Sequence, residues 1–241
     1  MAADLEVAPA APAYRVAYAP FSWTGFYIGV HAGGDTFAKN WLAPYTPNNL
    51  IAGCTTCGSQ IGSHTAKSWL AGGQVGFNYQ IAWFVAGVEA QVSATRLQGS
   101  GLGGLPLGLA TFNTNTNSLG TIAARMGIAM DRGMFFVKGG GAWANDTFFT
   151  TTTAAPVFTS LTTTRWGWMI GVGGEWAFWD NWSVKVEYDH MEFRRQRQTL
   201  QPVGAGALPF DYDIEQTVDL VKVGVNYKFG WFGSGPVSAR Y

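Results

Sequence analysis

From Val221 to Phe229 the chain alternates without a break. Val221, Val223, Val225, Tyr227 and Phe229 are apolar, and Lys222, Gly224, Asn226 and Lys228 stand between them. A period of two is the signature of a β-strand with one apolar and one polar face. The same period predicts seven earlier strands, over Thr24–Gly34, Ser68–Tyr79, Trp83–Ala94, Ser118–Met130, Met134–Asp146, Thr164–Phe178 and Ser183–Phe193, with the eighth over Thr217–Phe229. The face carrying Phe26, Ile28 and Val30, or Trp166, Trp168 and Ile170, is apolar along its whole length.

The connections fall into two classes. Three are tight, near 80–82, 131–133 and 179–182, and Asp131-Arg132-Gly133 has the residues of a hairpin turn. Four are long, near 35–67, 95–117, 147–163 and 195–216. They alternate, so all long loops lie at one end and all tight turns at the other. That asymmetry belongs to membrane barrels. The predicted fold is all-β: an eight-stranded antiparallel up-and-down transmembrane β-barrel with short periplasmic turns and long extracellular loops. Residues 101–117, with Gly-Leu and Asn-Thr repeats, and the threonine-rich 147–164 are expected to be exposed loop.

Composition sharpens this. Only 12% of residues are charged, against about 25% in ordinary soluble domains. A wall facing lipid needs no charge. The balanced net charge removes nucleic acid as a partner, since that needs a basic face. No window of about 18 apolar residues occurs, which excludes a transmembrane helix but not transmembrane strands. Residues 1–22, rich in alanine and proline, are expected to be a periplasmic leader. Their start has the look of a mature terminus left by export. The barrel is expected over 23–229 and a periplasmic tail over 230–241.

The strand phases turn Glu89, Arg125, Lys138, Glu175, Lys185, Glu187 and Lys222 inward. Charges inside a narrow barrel must pair, so these residues predict a salt-bridge plug or, in the alternative, a gate for a narrow channel. Glycines at inward positions, among them Gly29, Gly72 and Gly171, leave room for long charged neighbours or for water. An open aqueous pore needs about sixteen strands, which this length does not hold. Cys54 and Cys57 sit among glycine, serine and threonine and read as a loop disulfide, with redox chemistry or half a metal site as alternatives. His31, His64 and His190 are scattered. No serine is identified at the depth of His31, so no nucleophile–base pair and no catalytic residue is expected, nor a metal or cofactor. Arg194, Arg195 and Arg197 open the last long loop and suit lipopolysaccharide phosphates.

Taken together, Trp23-Thr-Gly-Phe-Tyr-Ile-Gly29, Phe84-Val-Ala-Gly-Val-Glu89, Gly120-Thr-Ile-Ala-Ala-Arg-Met-Gly127, Asn181-Trp-Ser-Val-Lys-Val-Glu-Tyr188 and Val223-Gly-Val-Asn-Tyr-Lys-Phe229 make the chain resemble the alphaproteobacterial Omp25/Omp31-like, porin-like outer membrane proteins. The resemblance covers nearly the whole chain. It implies a periplasmic N-terminus, outer membrane lipids as partners, and a structural or surface-interaction role with loops open to a surface or host partner. Some members are linked to haem, which would draw on His64, His190 or loop tyrosines. Such chains often finish on a terminal aromatic, whereas here twelve residues follow Phe229.

Overall fold

The computed structural model describes residues 21–51, 55, 57–105, 108–152, 161–200 and 209–230. Among them are β1 (Gly25–Leu42), a short helix α1 (Pro47–Ile51), β2 (Gln60–Ile81), β3 (Phe84–Leu105), β4 (Gly108–Met130), β5 (Gly133–Thr152), β6 (Leu161–Ala177), β7 (Trp182–Leu200) and β8 (Phe210–Lys228). Every strand pairs antiparallel with its chain neighbours, and β8 returns to β1 through Tyr27↔Lys228, closing an eight-stranded barrel. The expected leader and tail lie outside the described residues, apart from Phe21 and Ser22 and, after the last strand, Gly230.

Two tight turns carry the backbone through the left-handed region, at Ala82 (φ 54°) and Asp131 (φ 50°). Asp tolerates that conformation through its short polar side chain. At the other end the strands overrun the expected loops. Most of 95–117 is strand, not loop, with β3 and β4 paired out to Leu105↔Gly108. Likewise β5 runs to Thr152 and β7 to Leu200. Threonine is a strand former, and strands standing in water need no apolar face.

The outer wall inverts the usual order of burial. Phe135 and Trp166 are 65% and 66% exposed, and Val30, Val88, Ile122, Ile170 and Val223 are exposed with them. An apolar surface of that extent is a surface for hydrocarbon. Aromatics rim it, with Tyr79, Trp83, Trp179 and Phe229 toward the tight turns and Trp69, Trp166 and Trp168 toward the loops.

Above this belt the wall is no longer one ring. The β2–β3 ladder stops at Leu70↔Thr95 and the β6–β7 ladder at Gly167↔Phe193. All other ladders continue upward. The upper barrel is therefore two four-stranded sheets, β7–β8–β1–β2 and β3–β4–β5–β6, separated by two seams. Each seam starts beside a bulge, between Ala94 and Leu97 in β3 and between Phe193 and Gln196 in β7. A bulge bends and twists its strand, which peels it from the neighbour.

Candidate functional site

The register carries all seven sequence-predicted lumen charges to one level of the barrel. Glu89 (β3), Arg125 (β4), Lys138 (β5), Glu175 (β6), Lys185 and Glu187 (β7) and Lys222 (β8) all point inward and are buried. Glu187 is ion-paired with Lys138 at 3.1 Å, Lys185 at 3.0 Å and Lys222 at 2.9 Å. Glu89 receives Lys185 at 3.0 Å, with Lys138 and Arg125 at 3.5 Å. Arg125 also donates to Glu175 at 2.8 Å and to the Tyr27 hydroxyl at 2.9 Å, and that hydroxyl donates to Glu89 at 2.8 Å. Asp189 is an eighth member, 2.6 Å from Lys222 and 3.1 Å from Lys138. The period of two through Lys185 and Glu187 already turned it inward. With Asp189, four acids meet four bases, and the layer is neutral.

Polar neighbours complete the layer. Ser183 and Asn226 donate to Glu175 at 2.6 and 2.7 Å, Gln91 bridges Glu89 and Glu187 at 2.7 and 2.8 Å, and Lys222 donates to Gln91. The inward glycines make room for these long side chains. A methyl group at Gly171 would overlap Asp189 Oδ1 and lie 2.9 Å from Lys138 Cε. Apolar layers seal both sides. Toward the tight turns are Trp23, Val85, Met134 and Phe136, with Arg125 stacked 4.1 Å from the Phe136 ring. Toward the loops are Phe37, Leu70, Met169, Met191, Phe193 and Leu220.

Sequence reading missed a second, upper cluster. Lys39 meets Asp146 at 3.1 Å, Arg165 lies 3.8 Å from the same carboxylate, and Thr116 donates to it at 2.5 Å. Arg165 also crosses the β6–β7 seam, donating to the Arg194 carbonyl at 3.1 Å and the Ile214 carbonyl at 2.9 Å. This cluster straps the two upper sheets together through the lumen. Lys39 fell in an expected loop, so no strand phase pointed it inward.

The histidines need one correction. A serine does lie at the depth of His31: Ser93 Oγ is 2.7 Å from Nε2, and Gln74 Oε1 is 2.6 Å from Nδ1. The contact has the reach of a nucleophile–base pair, but both residues are buried in the filled lumen and the orienting group is an uncharged amide. The three fill space and satisfy one another. His190 instead faces outward, 2.8 Å from Asp219, which also accepts the Tyr188 hydroxyl at 2.6 Å. The side chain of His64 lies outside the described residues, although its backbone pairs with Lys39 in the β1–β2 ladder, three strands from His190.

At the loop end, Cys57 is disulfide-bonded. Cys54, the only other cysteine in the sequence, lies outside the described residues. The same connection is latched to β8. Buried Asn49 donates to the Asp211 carbonyl at 3.1 Å and accepts its amide at 2.8 Å. Burial alone would raise the Asp211 carboxyl, which stands well above the lipid belt. Hydrogen bonds from Thr199, Thr46 and Asn48, with Arg197 nearby, hold it below the ordinary carboxylate range. Arg194, Arg195 and Arg197 are exposed on upper β7. Arg195 pairs with Glu215, and Arg197 lies 3.0 Å from Asp213.

The same architecture recurs among known proteins. The model of the outer membrane protein beta-barrel domain matches residues 7–229. The 31 kDa outer-membrane immunogenic proteins of Brucella melitensis and Brucella suis are each 31% identical over 240 residues, covering 95% of this chain and 93% of theirs. Among solved structures, the Escherichia coli outer membrane protease OmpT superposes with a TM-score of 0.56 at 8% identity, over 88% of this chain and 99% of its own. Pseudomonas aeruginosa OprG gives 0.53 at 11% identity, over 86% and 97%. At those identities the two structures speak for the fold alone.

Proposed function

The chain belongs to the outer membrane β-barrel family and resides in the outer membrane, and from that premise we propose a non-catalytic, structural and surface-interaction role. The barrel stiffens the envelope and holds its two upper sheets and their loops outside the cell. The observation that carries this reading is the filled lumen. Lys185, Glu187 and Asp189 have essentially no accessible surface, and Arg125, Lys138, Lys185 and Lys222 each lie within 3.1 Å of an acid of the same layer. Apolar side chains crowd that layer from above and below. The Brucella relatives are named as immunogenic, which fits a protein that shows part of itself outside.

The second reading is a narrow channel gated by the same charges, favoured by eight ionised groups spanning one lumen. An ion could pass only by displacing those pairs and parting two apolar layers, and eight strands leave little width to spare. Planar-bilayer recording separates the two. A flat current at all voltages, together with leakage of periplasmic enzyme from a deletion strain, is expected. Discrete steps altered by Glu89→Gln with Lys138→Gln would replace the structural role with the channel.

A further inference from the structure

We propose that Lys67, Thr36, Asp219 and His190, at the upper rim of the apolar belt, form a lipid site that selects the N-acylated, hydroxylated lipid part of lipopolysaccharide over glycerophospholipids. The site uses none of Arg194, Arg195 and Arg197, and it does not depend on whether the lumen conducts.

Register sets the row. Along β2, β1, β8 and β7 the outward residues are apolar, aromatic or glycine from the tight-turn end upward, and the first polar one is Lys67, Thr36, Asp219 and His190 in turn. Thr36 pairs with Lys67 on one side and with Asp219 on the other, and Asp219 pairs with His190. The row also slopes. A row begun at Tyr27 on β1 and followed through every strand in chain order comes back to β1 at Phe37, above its start. Each step from β7 to β8, β1 and β2 therefore climbs, by about 3 Å for strands spaced near 4.8 Å and tilted about 40°. Lys67 stands roughly 6 Å above Asp219 by the same geometry.

The chemistry differs between the two levels. Oδ1 of Asp219 already accepts the Tyr188 hydroxyl at 2.6 Å and the His190 Nδ1–H at 2.8 Å. No described residue donates to Oδ2, and 43% of the Asp219 side chain is exposed. Lys67 is exposed and has no ion pair among the described residues. Trp168, 5.9 Å from the His190 ring, and Trp69, one outward step below Lys67, put both groups at headgroup level. The wall thus offers a cation above and a free carboxylate oxygen below. Beneath its phosphate a glycerophospholipid presents ester carbonyls, which only accept hydrogen bonds and leave Oδ2 unmet. The lipid part of lipopolysaccharide presents amide N–H and acyl hydroxyl groups beneath its sugar phosphates, and these donate. A second copy related by a two-fold along the membrane normal keeps every height, so its Lys67 would lie level with this Lys67 and not with Asp219.

Ceramide phosphate and phosphatidic acid make a matched pair of probes. Each has one phosphate and two chains, but only the ceramide carries N–H and hydroxyl donors beneath the phosphate. Native mass spectrometry of the folded, detergent-solubilised protein should show monophosphoryl lipid A and ceramide phosphate binding roughly tenfold tighter than phosphatidic acid, as expected for a hydrogen bond to a charged acceptor. Asp219→Leu should bring all three to the affinity of phosphatidic acid while heat-modifiable gel migration is kept. Should that variant not fold, Asp219→Asn keeps the shape and removes the charge, and the preference should still fall severalfold. Lys67→Gln should weaken all three lipids alike, since all carry phosphate. Equal binding of ceramide phosphate and phosphatidic acid to the native protein overturns the proposal, because water would then satisfy Oδ2. So does a preference unchanged by the Asp219 variants, or a ceramide preference that lipid A does not share. A dimer lost on Lys67→Gln or Asp219→Leu also overturns it, because the occupant would be a second copy. Loss of the lipid preference beside a flat bilayer trace would remove this site and leave the structural role standing.

Discussion

The barrel obeys two building codes, one below the level of Leu70 and Gly167 and one above it. Below, all eight ladders are intact and the wall is a single ring. Above, bulges in β3 and β7 let the ring part into two sheets. The solvent explains the difference. Hydrocarbon offers no hydrogen bond to an open edge, so a spanning sheet must close. Water offers one at every edge, so closure becomes optional. The lumen follows suit. The neutral eight-charge layer lies within the ring and binds strands already bound by their backbones. The Lys39–Asp146–Arg165 cluster lies where backbone pairing has lapsed and takes over part of its task.

Glu187→Ala is expected to have the largest effect. It leaves Lys138, Lys185 and Lys222 sharing fewer acids in a layer that had been neutral. Removing one partner of a buried ion pair costs about 3–5 kcal/mol. Urea unfolding of the micelle-bound protein should show a loss of that order in the global transition. Adding Lys185→Met should recover most of it, because the leftover charge is what destabilises. A Glu187→Ala protein as stable as its parent would mean that water reaches the layer, and the filled lumen would be refuted.

Asp146→Ala should separate the two codes more finely. It removes the shared acid of Lys39 and Arg165. The pair is as buried as those below, yet the strands it joins lie on different sheets. We expect faster amide exchange confined to the upper strands, with little movement of the global unfolding midpoint, as local opening predicts. If Asp146→Ala lowered the global midpoint as far as Glu187→Ala, the two halves would be one cooperative unit and the contrast would fail.

The lower code was largely legible in the sequence because lipid enforces it. Strict alternation gave the strands over the belt, and their phases turned Glu89, Arg125, Lys138, Glu175, Lys185, Glu187 and Lys222 inward together. Asp189 stood in the same phase and needed only the alternation carried two residues further. The upper code was not legible. Threonine, asparagine and glycine near 108–117 and 147–152 show no apolar alternation, because neither face of those strands meets lipid. The seams depend on which ladder stops, and pairing between β2 and β3 leaves no mark within either strand. The His31–Ser93 contact joins residues far apart in sequence, and only register brings them to one depth.

The smallest expected effect on stability, and the most local, is at the arginines of upper β7. The bulge between Phe193 and Gln196 leaves Arg194 and Arg195 both exposed, where an unbroken strand would have turned one of them inward. Exposed pairs such as Arg195 with Glu215 contribute little to folding, so these guanidinium groups are free to exchange a carboxylate for a better ligand. Phosphate is one, since arginine binds it bidentately, and we propose that lipopolysaccharide phosphates take that place at the outer rim of the belt. Arg194→Ala with Arg195→Ala and Arg197→Ala should leave the unfolding midpoint where it was while less lipopolysaccharide co-purifies. Unchanged lipid retention would sink the assignment. A fallen midpoint would show that these side chains help hold upper β7 to β8, so that the open part of the barrel relies on its surface charges more than its buried strap implies.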